Sequence, residues 1–332
     1  MNHPHRFLIV QTAFIGDVIL ATSLVEKLHF HFPDATIDFL LRKGNESLLK
    51  NHPHLNEILI WDKKNGKYKD LLRLIRVIRP RHYDKVINLQ RFGATGLLTA
   101  LSGATETIGF SKNPFSRFFT HRIEHRIAPD IHEINRNTEL VSGFTNRTAL
   151  NPKLYPSTQD SIRIKPYQTK PYICVAPTSV WFTKQYPEEK WVDFLQQIPE
   201  QLTVYLLGAP ADSEAAERIR QIVNSDRVVN LSGKLSFLES AVLMKGAQMN
   251  YVNDSAPMHL ASAVNAPTTA IFCSTIPQFG FGPLADEAHV VEIEELLDCR
   301  PCGLHGRKAC PLGHFQCAHG IRTAQLLEIL PK

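Results

Sequence analysis

Three segments in the second half of the chain combine hydroxyls, a lysine, acids and small residues at spacings that suit a diphosphate. The first is Pro177-Thr178-Ser179-Val180-Trp181-Phe182-Thr183-Lys184, shortly before Pro187. Hydroxyls and a lysine ahead of a helix start would add to the pull that helix amides already exert on an anion. A polar loop with a surface lysine is the plainer alternative. The second is Leu207-Gly208-Ala209-Pro210-Ala211-Asp212, where a glycine and a proline make a tight turn. Asp212 can cap the helix that follows, the commoner use of an acid there, or accept from a ribose hydroxyl. The third is Asn253-Asp254-Ser255-Ala256-Pro257-Met258-His259. Its small residues let backbone approach a phosphate, and Ser255 and nearby amides can donate to it. A single histidine is by default structural, but His259 shares this helix mouth.

In the first half, Asp17 follows Gly16 at the first strand–helix turn. An acid there can cap the helix or project from the strand end as a general base. Near the other end, four cysteines are spaced Cys299-x2-Cys302-x7-Cys310-x6-Cys317, with His305, His314 and His319 nearby. In a cytosolic protein this reads as a metal site before it reads as disulfides. A structural zinc held by Cys299, Cys302, Cys310 and Cys317 is one expectation; reduced structural thiols or a labile disulfide are the others. Cys174 and Cys273 fall in or next to apolar runs and read as packing residues.

These residues need a scaffold, and the pattern supplies one. Apolar runs at Phe7–Val10, Thr36–Leu41, Glu57–Trp61 and Lys85–Leu89 alternate with helix-like stretches at Asp17–Phe32, Glu46–Lys50, Tyr68–Ile78 and Gly96–Leu101. The second half repeats this, with strands at Tyr172–Ala176, Thr203–Leu207, Val228–Leu231, Met249–Val252 and Thr268–Phe272. Its helices are Pro187–Ile198, Asp212–Val223, Phe237–Lys245 and Pro257–Val264. Such alternation predicts parallel sheets covered by helices on both faces. Prolines 152, 156, 166 and 171 punctuate the join, so two domains are expected, 1–165 and 166–332, the second carrying the cysteine-rich segment 299–317. Ligands of such sheets bind beyond the carboxyl ends of the strands.

The composition, 43% hydrophobic and 21% charged, fits a soluble globular protein. No apolar stretch approaches the roughly 20 residues of a spanning helix. The start of the chain lacks the apolar core and cleavage site of a signal peptide, so a cytoplasmic protein is expected. Charge is uneven: residues 1–165 hold 24 Lys and Arg against 15 Asp and Glu, and residues 166–332 hold 13 against 17, for a net +5. A basic first half suits a polyanion or an anionic membrane surface; ordinary solvated helix faces would explain it as well.

The segment Asp254–His259 resembles the Asp-Ser/Thr-Gly/Ala-x-x-His signature of the heptosyltransferases, glycosyltransferase family nine. The resemblance extends to Ser179-Val180-Trp181-x-x-Lys184-x-x-Pro187-x-x-x-Trp191, to Leu207-Gly208-Ala209-Pro210-x-Asp212 and to Asn230-Leu231-Ser232-Gly233-Lys234-x-Ser236. Phe14-Ile15-Gly16-Asp17 is similar to the family's opening turn, and His132-Glu133-x-Asn135-Arg136 to a mid-chain His-x-x-x-Arg element. Here Ala256-Pro257 stands where many members have glycine and a variable residue.

The resemblance implies an α/β chain of the GT-B class, with two Rossmann-like doubly wound domains facing across a cleft. It implies an inverting transfer of heptose, or a similar sugar, from an ADP-sugar to a lipopolysaccharide inner-core acceptor. Asp17 would be the catalytic base. Thr178, Ser179, Lys184, Asp212, Leu235, Asp254, Ser255, Ala256 and His259 would contact the donor. Gln90, Arg91, Lys112, His132 and Arg136 would meet an anionic glycolipid acceptor. Catalysis would need no cofactor and no divalent metal, and the enzyme would work at the cytoplasmic face of the inner membrane in peripheral contact with it. An epimerase or hydrolase of the same fold is the nearest rival. A nucleic-acid-binding module is a distant one, since the basic residues are not interleaved with stacking aromatics.

Overall fold

The apolar runs of the first half form a sheet buried on both faces, as parallel sheets under helices must be. The computed structural model describes residues 4–129 and 131–330. Its strands are β1 (Arg6–Val10), β2 (Thr36–Arg42), β3 (Glu57–Trp61), β4 (Lys85–Asn88), β5 (Glu106–Phe110) and β6 (His121–Ile123). They lie in the order β3-β2-β1-β4-β5-β6, all parallel, with Phe7 opposite Ile37 on one side and Lys85 on the other. Four helices accompany them: α1 (Ile15–His31), α2 (Lys67–Ile78), α3 (Gly93–Ala100) and α4 (Glu133–Glu139). Helix α1 is buried without a break from Val18 to Leu28. The run includes Lys27, whose ammonium donates to Asn146 Oδ1 and the Thr148 carbonyl. Helix α2 is amphipathic, burying Leu71, Leu74, Ile75 and Ile78 on one stripe.

The second half repeats this winding. Strands β7 (Tyr172–Ala176), β8 (Thr203–Leu206), β9 (Val228–Asn230), β10 (Asn250–Asn253), β11 (Thr268–Phe272) and β12 (Ala288–Glu292) lie in the order β12-β11-β10-β7-β8-β9, again all parallel. Helices α5 (Thr158–Ile164), α6 (Glu188–Gln197), α7 (Ser213–Val223), α8 (Phe237–Gly246), α9 (Ala256–Ser262), α10 (Gln316–His319) and α11 (Thr323–Leu327) complete the unit. Its core joins strand residues Ile173, Val175, Val204 and Ile271 to Trp191 and Phe194 of α6 and to Phe315, Cys317 and Leu326 near the C-terminus.

The chain divides between Tyr155 and Pro156, upstream of the expected 165/166 division. Residues 157–164 form α5, closed by a capping box between Ser157 and Asp160. That helix packs on α8 of the second unit, and Arg163 pairs with Glu239 at 3.0 Å. Proline spacing alone hid the helix between the prolines. The stretch expected as a helix at Glu46–Lys50 is one 3-10 turn, Glu46–Leu48. Strands β5, β6 and β12 were not anticipated: β5 carries a glycine in its run, and β6 and β12 sit at sheet edges with partly exposed, mixed sequences. Among the described residues no helix is long and apolar enough to cross a membrane.

Candidate functional site

In each sheet the strand order reverses once, and ligands of such sheets bind at that point, beyond the carboxyl ends of the strands. In the second unit the reversal lies between β7 and β10. The loops that flank it carry Thr178 to Lys184 and Asp254 to His259. Asn253, at the end of β10 and fully buried, ties the two loops together. Its Nδ2 donates to the Pro177 carbonyl at 2.8 Å, and its Oδ1 accepts from Tyr186 N at 2.9 Å.

The charged centre sits on that tie. Lys184 Nζ is 2.7 Å from Asp254 Oδ2, with side-chain exposures of 14% and 6%. Thr275 Oγ1, fully buried, donates to the same Asp254 oxygen at 2.6 Å. Burying two ions is a poor way to gain stability, because desolvation offsets most of their attraction. A lysine held at the switch point beside the half-buried Thr178 and Ser179 has the charge and the hydroxyl neighbours to receive an anion.

Behind Lys184 the cysteine-rich segment acts as a clasp. Thr183 is buried, and its Oγ1 accepts from Arg307 N at 2.7 Å and from Ser274 Oγ at 2.9 Å. Thr183 N donates in turn to the Arg307 carbonyl at 3.1 Å. Arg300 donates to the carbonyls of Phe272, Cys273 and Thr275 and pairs with Glu292, fixing the loop that presents Thr275.

All six cysteines are free. Cys302, Cys310 and Cys299 lie near enough to Cys317 to add to the effect of burial, which pushes its thiol up to about 12. Among the described residues, however, no three His, Cys, Asp or Glu side chains form a group that could hold a metal ion. Of the four cysteines expected to hold zinc, Cys317 packs in the apolar core, while Cys299, Cys302 and Cys310 are half-buried. Cys174 and Cys273 are buried, as expected of packing residues.

The remaining donor candidates lie along the same edge or close to it. Asp212 Oδ2 accepts from Ala209 N at 2.7 Å, which realises the turn-capping role. Gly208 leaves room for that carboxylate, since a Cβ there would stand 2.8 Å from Asp212 Cβ; Gly233 has φ +73° and would meet Pro210 Cα at 2.7 Å. Leu235 is half-buried before α8. Helix α9 begins at Ala256, so Pro257 is its second residue and not its first. Pro257 has no N–H to give, and Met258 N turns back to the Ser255 carbonyl at 3.1 Å. This turn therefore offers fewer backbone donors than a glycine version would. His259 is buried, its ring 6.4 Å from that of Phe281.

In the first unit the reversal lies between β1 and β4. Gln11 and Gln90, one from each flanking loop and both buried, are hydrogen-bonded through their side chains. Asp17 stands in the first turn of α1, where Oδ2 accepts from Phe14 N at 3.2 Å. It is also close enough to Glu133 to help raise that acid's pKa, an effect caused mainly by burial and opposed by Arg136 and Arg91. Arg136 is buried, its Nε 2.7 Å from Glu133 Oε2 and its Nη1 2.7 Å from the Ile131 carbonyl. These two contacts hold Arg136 against Glu133 at the start of α4. His132 caps α4 through Nδ1, which accepts from Ile134 N at 3.3 Å.

Arg91, Arg136 and the exposed Lys112 all face buried His125, whose pKa falls to about 4 through burial and then through those cations. Three expected acceptor contacts thus share one neighbourhood. Sequence reasoning missed His125, Glu133, Asn253, Thr275, Arg300 and Lys63. Lys63, just after β3, donates to Thr12 O and Thr12 Oγ1, both at 2.8 Å. Burial, with Arg42 and Lys67 nearby, lowers its pKa to about 8. Two of them carried a sequence signal: Asn253, a polar residue closing an apolar run, and Glu133, which stands inside the His132–Arg136 element.

The model of glycosyltransferase family 9 (heptosyltransferase) matches residues 71–308. Lipopolysaccharide heptosyltransferase 3 of Escherichia coli strain K12 is 27% identical over 284 residues, covering 78% of this chain and 80% of that protein. Among solved structures, a family 9 glycosyl transferase from Veillonella parvula superposes with a TM-score of 0.87 at 20% identity, covering 99% of this chain and 97% of the other. The E. coli ADP-heptose lipopolysaccharide heptosyltransferase II superposes at 0.80 and 22%, covering 98% and 97%. At those identities the two structures speak to the fold, and they share its two doubly wound α/β units, the GT-B class.

Proposed function

This chain belongs to glycosyltransferase family 9, the heptosyltransferases, and we propose that it moves a heptose from an ADP-sugar to the inner core of a lipopolysaccharide, inverting the anomeric carbon. The observation that carries the reading is the buried Lys184–Asp254–Thr275 cluster at the switch point of the second sheet. The E. coli relatives described as lipopolysaccharide and ADP-heptose heptosyltransferases support the choice of sugar, nucleotide and acceptor.

In this reading Thr178, Ser179, Lys184, Asp212, Leu235, Asp254, Ser255, Ala256 and His259 hold the donor. Asp17 accepts the proton of the acceptor hydroxyl as its oxygen bonds to the anomeric carbon. The bond from that carbon to the diphosphate oxygen breaks, and its electron pair leaves with ADP. Lys184 and neighbouring donors stabilise the charge that develops on the diphosphate. Arg91 and Lys112 meet anionic groups of the acceptor together with Gln90 and His132, while Arg136 keeps Glu133 in place. Base and charge stabilisers are all protein groups, so the chemistry is complete without a divalent metal. The acceptor being a glycolipid, the site of action is the cytoplasmic face of the inner membrane.

Thermal unfolding across a panel of nucleotides tests the reading. ADP and ADP-heptose should raise the melting temperature, and UDP and GDP should leave it nearly unchanged. A UDP preference would overturn the donor assignment. Donor hydrolysis equally fast with and without acceptor would overturn the transfer.

A further inference from the structure

The outward face of α2 is a cationic and partly apolar strip that the transfer chemistry leaves unused. The inward face is taken by Leu71, Leu74, Ile75 and Ile78. Outward, Tyr68, Leu72, Arg76 and Arg79 follow one another at steps of four, four and three, which aligns them along one side of the helix. Tyr68 is 69% exposed and Leu72 53%. Asp70 is the one acid from residue 63 to residue 79, and it is engaged by Arg73 Nε and by Asp62 N. Lys67 lies over the Tyr68 ring at 5.3 Å. Lys64, Lys69, Arg76 and Arg79 are exposed and make no ion pair among the described residues.

Like charges gathered on one helix repel one another, and an anionic surface would relieve that repulsion. An exposed aromatic ring and a leucine among flexible cationic stems match a headgroup layer, where stems lie along apolar surface and charges reach phosphates. We infer that this face of α2 docks the protein on an anionic phospholipid bilayer, with Tyr68 and Leu72 at the headgroup–acyl boundary. The inference rests on the glycolipid reading of the acceptor only for the purpose of such docking.

Co-sedimentation of the full chain with vesicles tests it without turnover. The protein should bind phosphatidylglycerol–phosphatidylcholine vesicles, bind pure phosphatidylcholine weakly, and be released by salt. The variant K69Q/R76Q/R79Q should lose about a hundredfold in partitioning to the anionic vesicles. The variant Y68S/L72S should lose roughly tenfold, with little dependence on salt. Both should keep the thermal shift with ADP, which shows that they are folded, and should match the wild type on a soluble, deacylated acceptor. Equal partitioning of wild type and charge variant would overturn the inference. So would absence of vesicle binding, with the charge variant instead losing RNA binding or self-association. Vesicle binding by a protein that transfers no heptose would leave the docking intact and defeat the transferase reading.

Discussion

The two units wind six parallel strands in the same order, yet the crevices at their switch points hold different chemistry. In the second, a lysine and an aspartate face each other in a buried pair, reinforced by Thr275 and braced by the cysteine-rich segment. In the first, two buried glutamines are hydrogen-bonded to each other, and the unit also holds Asp17 close to the Glu133–Arg136 pair and the cations Arg91, Arg136 and Lys112 around His125. Topology decides where a ligand can lie; side chains decide which one. A cation held ready suits a leaving diphosphate, whereas an acid beside cations suits a hydroxyl on an anionic molecule. The comparison can be broken on either side.

The largest effect is expected at Asp17. Asp17→Asn retains an oxygen to accept from Phe14 N, so the helix start should persist. Transfer should fall roughly a thousandfold in kcat, within the usual range for a lost general base, while the thermal shift with ADP stays that of the wild type. Retained activity would reduce Asp17 to a cap and move the base elsewhere in the first unit, with Glu133 the next to try. A lost ADP shift would mean that the two crevices do not divide the work as proposed.

On the other side, Lys184→Met leaves the Asp254 carboxylate buried without its cation. Removing one partner of such a pair costs about 3 kcal/mol, readable by urea denaturation, and ADP binding should be lost with it. The double variant K184M/D254N removes both charges; it should regain most of the stability and none of the ADP binding. That split separates a ligand-binding lysine from a merely structural one. Should the single variant lose less than about 0.5 kcal/mol, the pair behaves as an exposed one, and the case for a ligand at that lysine weakens.

Much of this contrast was legible in the sequence. The apolar runs ending at Val10, Leu89, Ala176 and Val252 mark the four strands that flank the switch points, because strands buried on both faces read as continuous apolar stretches. Residues placed just beyond them, Asp17, Gln90, Lys184 and Asp254, do lie at those crevices. What could not be read was the partner of each. Thr275 reaches Asp254 from the far end of β11, and Arg300 reaches that loop from the cysteine-rich segment. These pairings depend on packing between distant segments. Nor does the cysteine spacing reveal that one of the four thiols, Cys317, packs in the core.

The smallest expected effect concerns pH and sharpens the contrast between the units. His125 in the first unit has its pKa lowered from 6.5 to about 4 by burial and by the facing cations Arg91, Arg136 and Lys112. Buried His52, in the same unit, is lowered to about 3 by burial and by His54, His29 and Lys153, against the pull of the Glu26 carboxylate 3.4 Å from its Nε2. A histidine held neutral when folded takes up a proton more readily when unfolded. Its contribution is complete above pH 6.5 and is lost as pH falls toward the folded value, after which it falls no further. For His125 the loss amounts to roughly 2–3 kcal/mol between pH 6.5 and 4. Hydrogen exchange followed by mass spectrometry should therefore show segments of the first unit opening in that window before those of the second. His125→Gln should flatten the slope in part and leave the share due to His52. An unchanged slope in that variant would mean that His125 is charged in the folded protein, and that the basic cluster around it is more open to water than its burial implies.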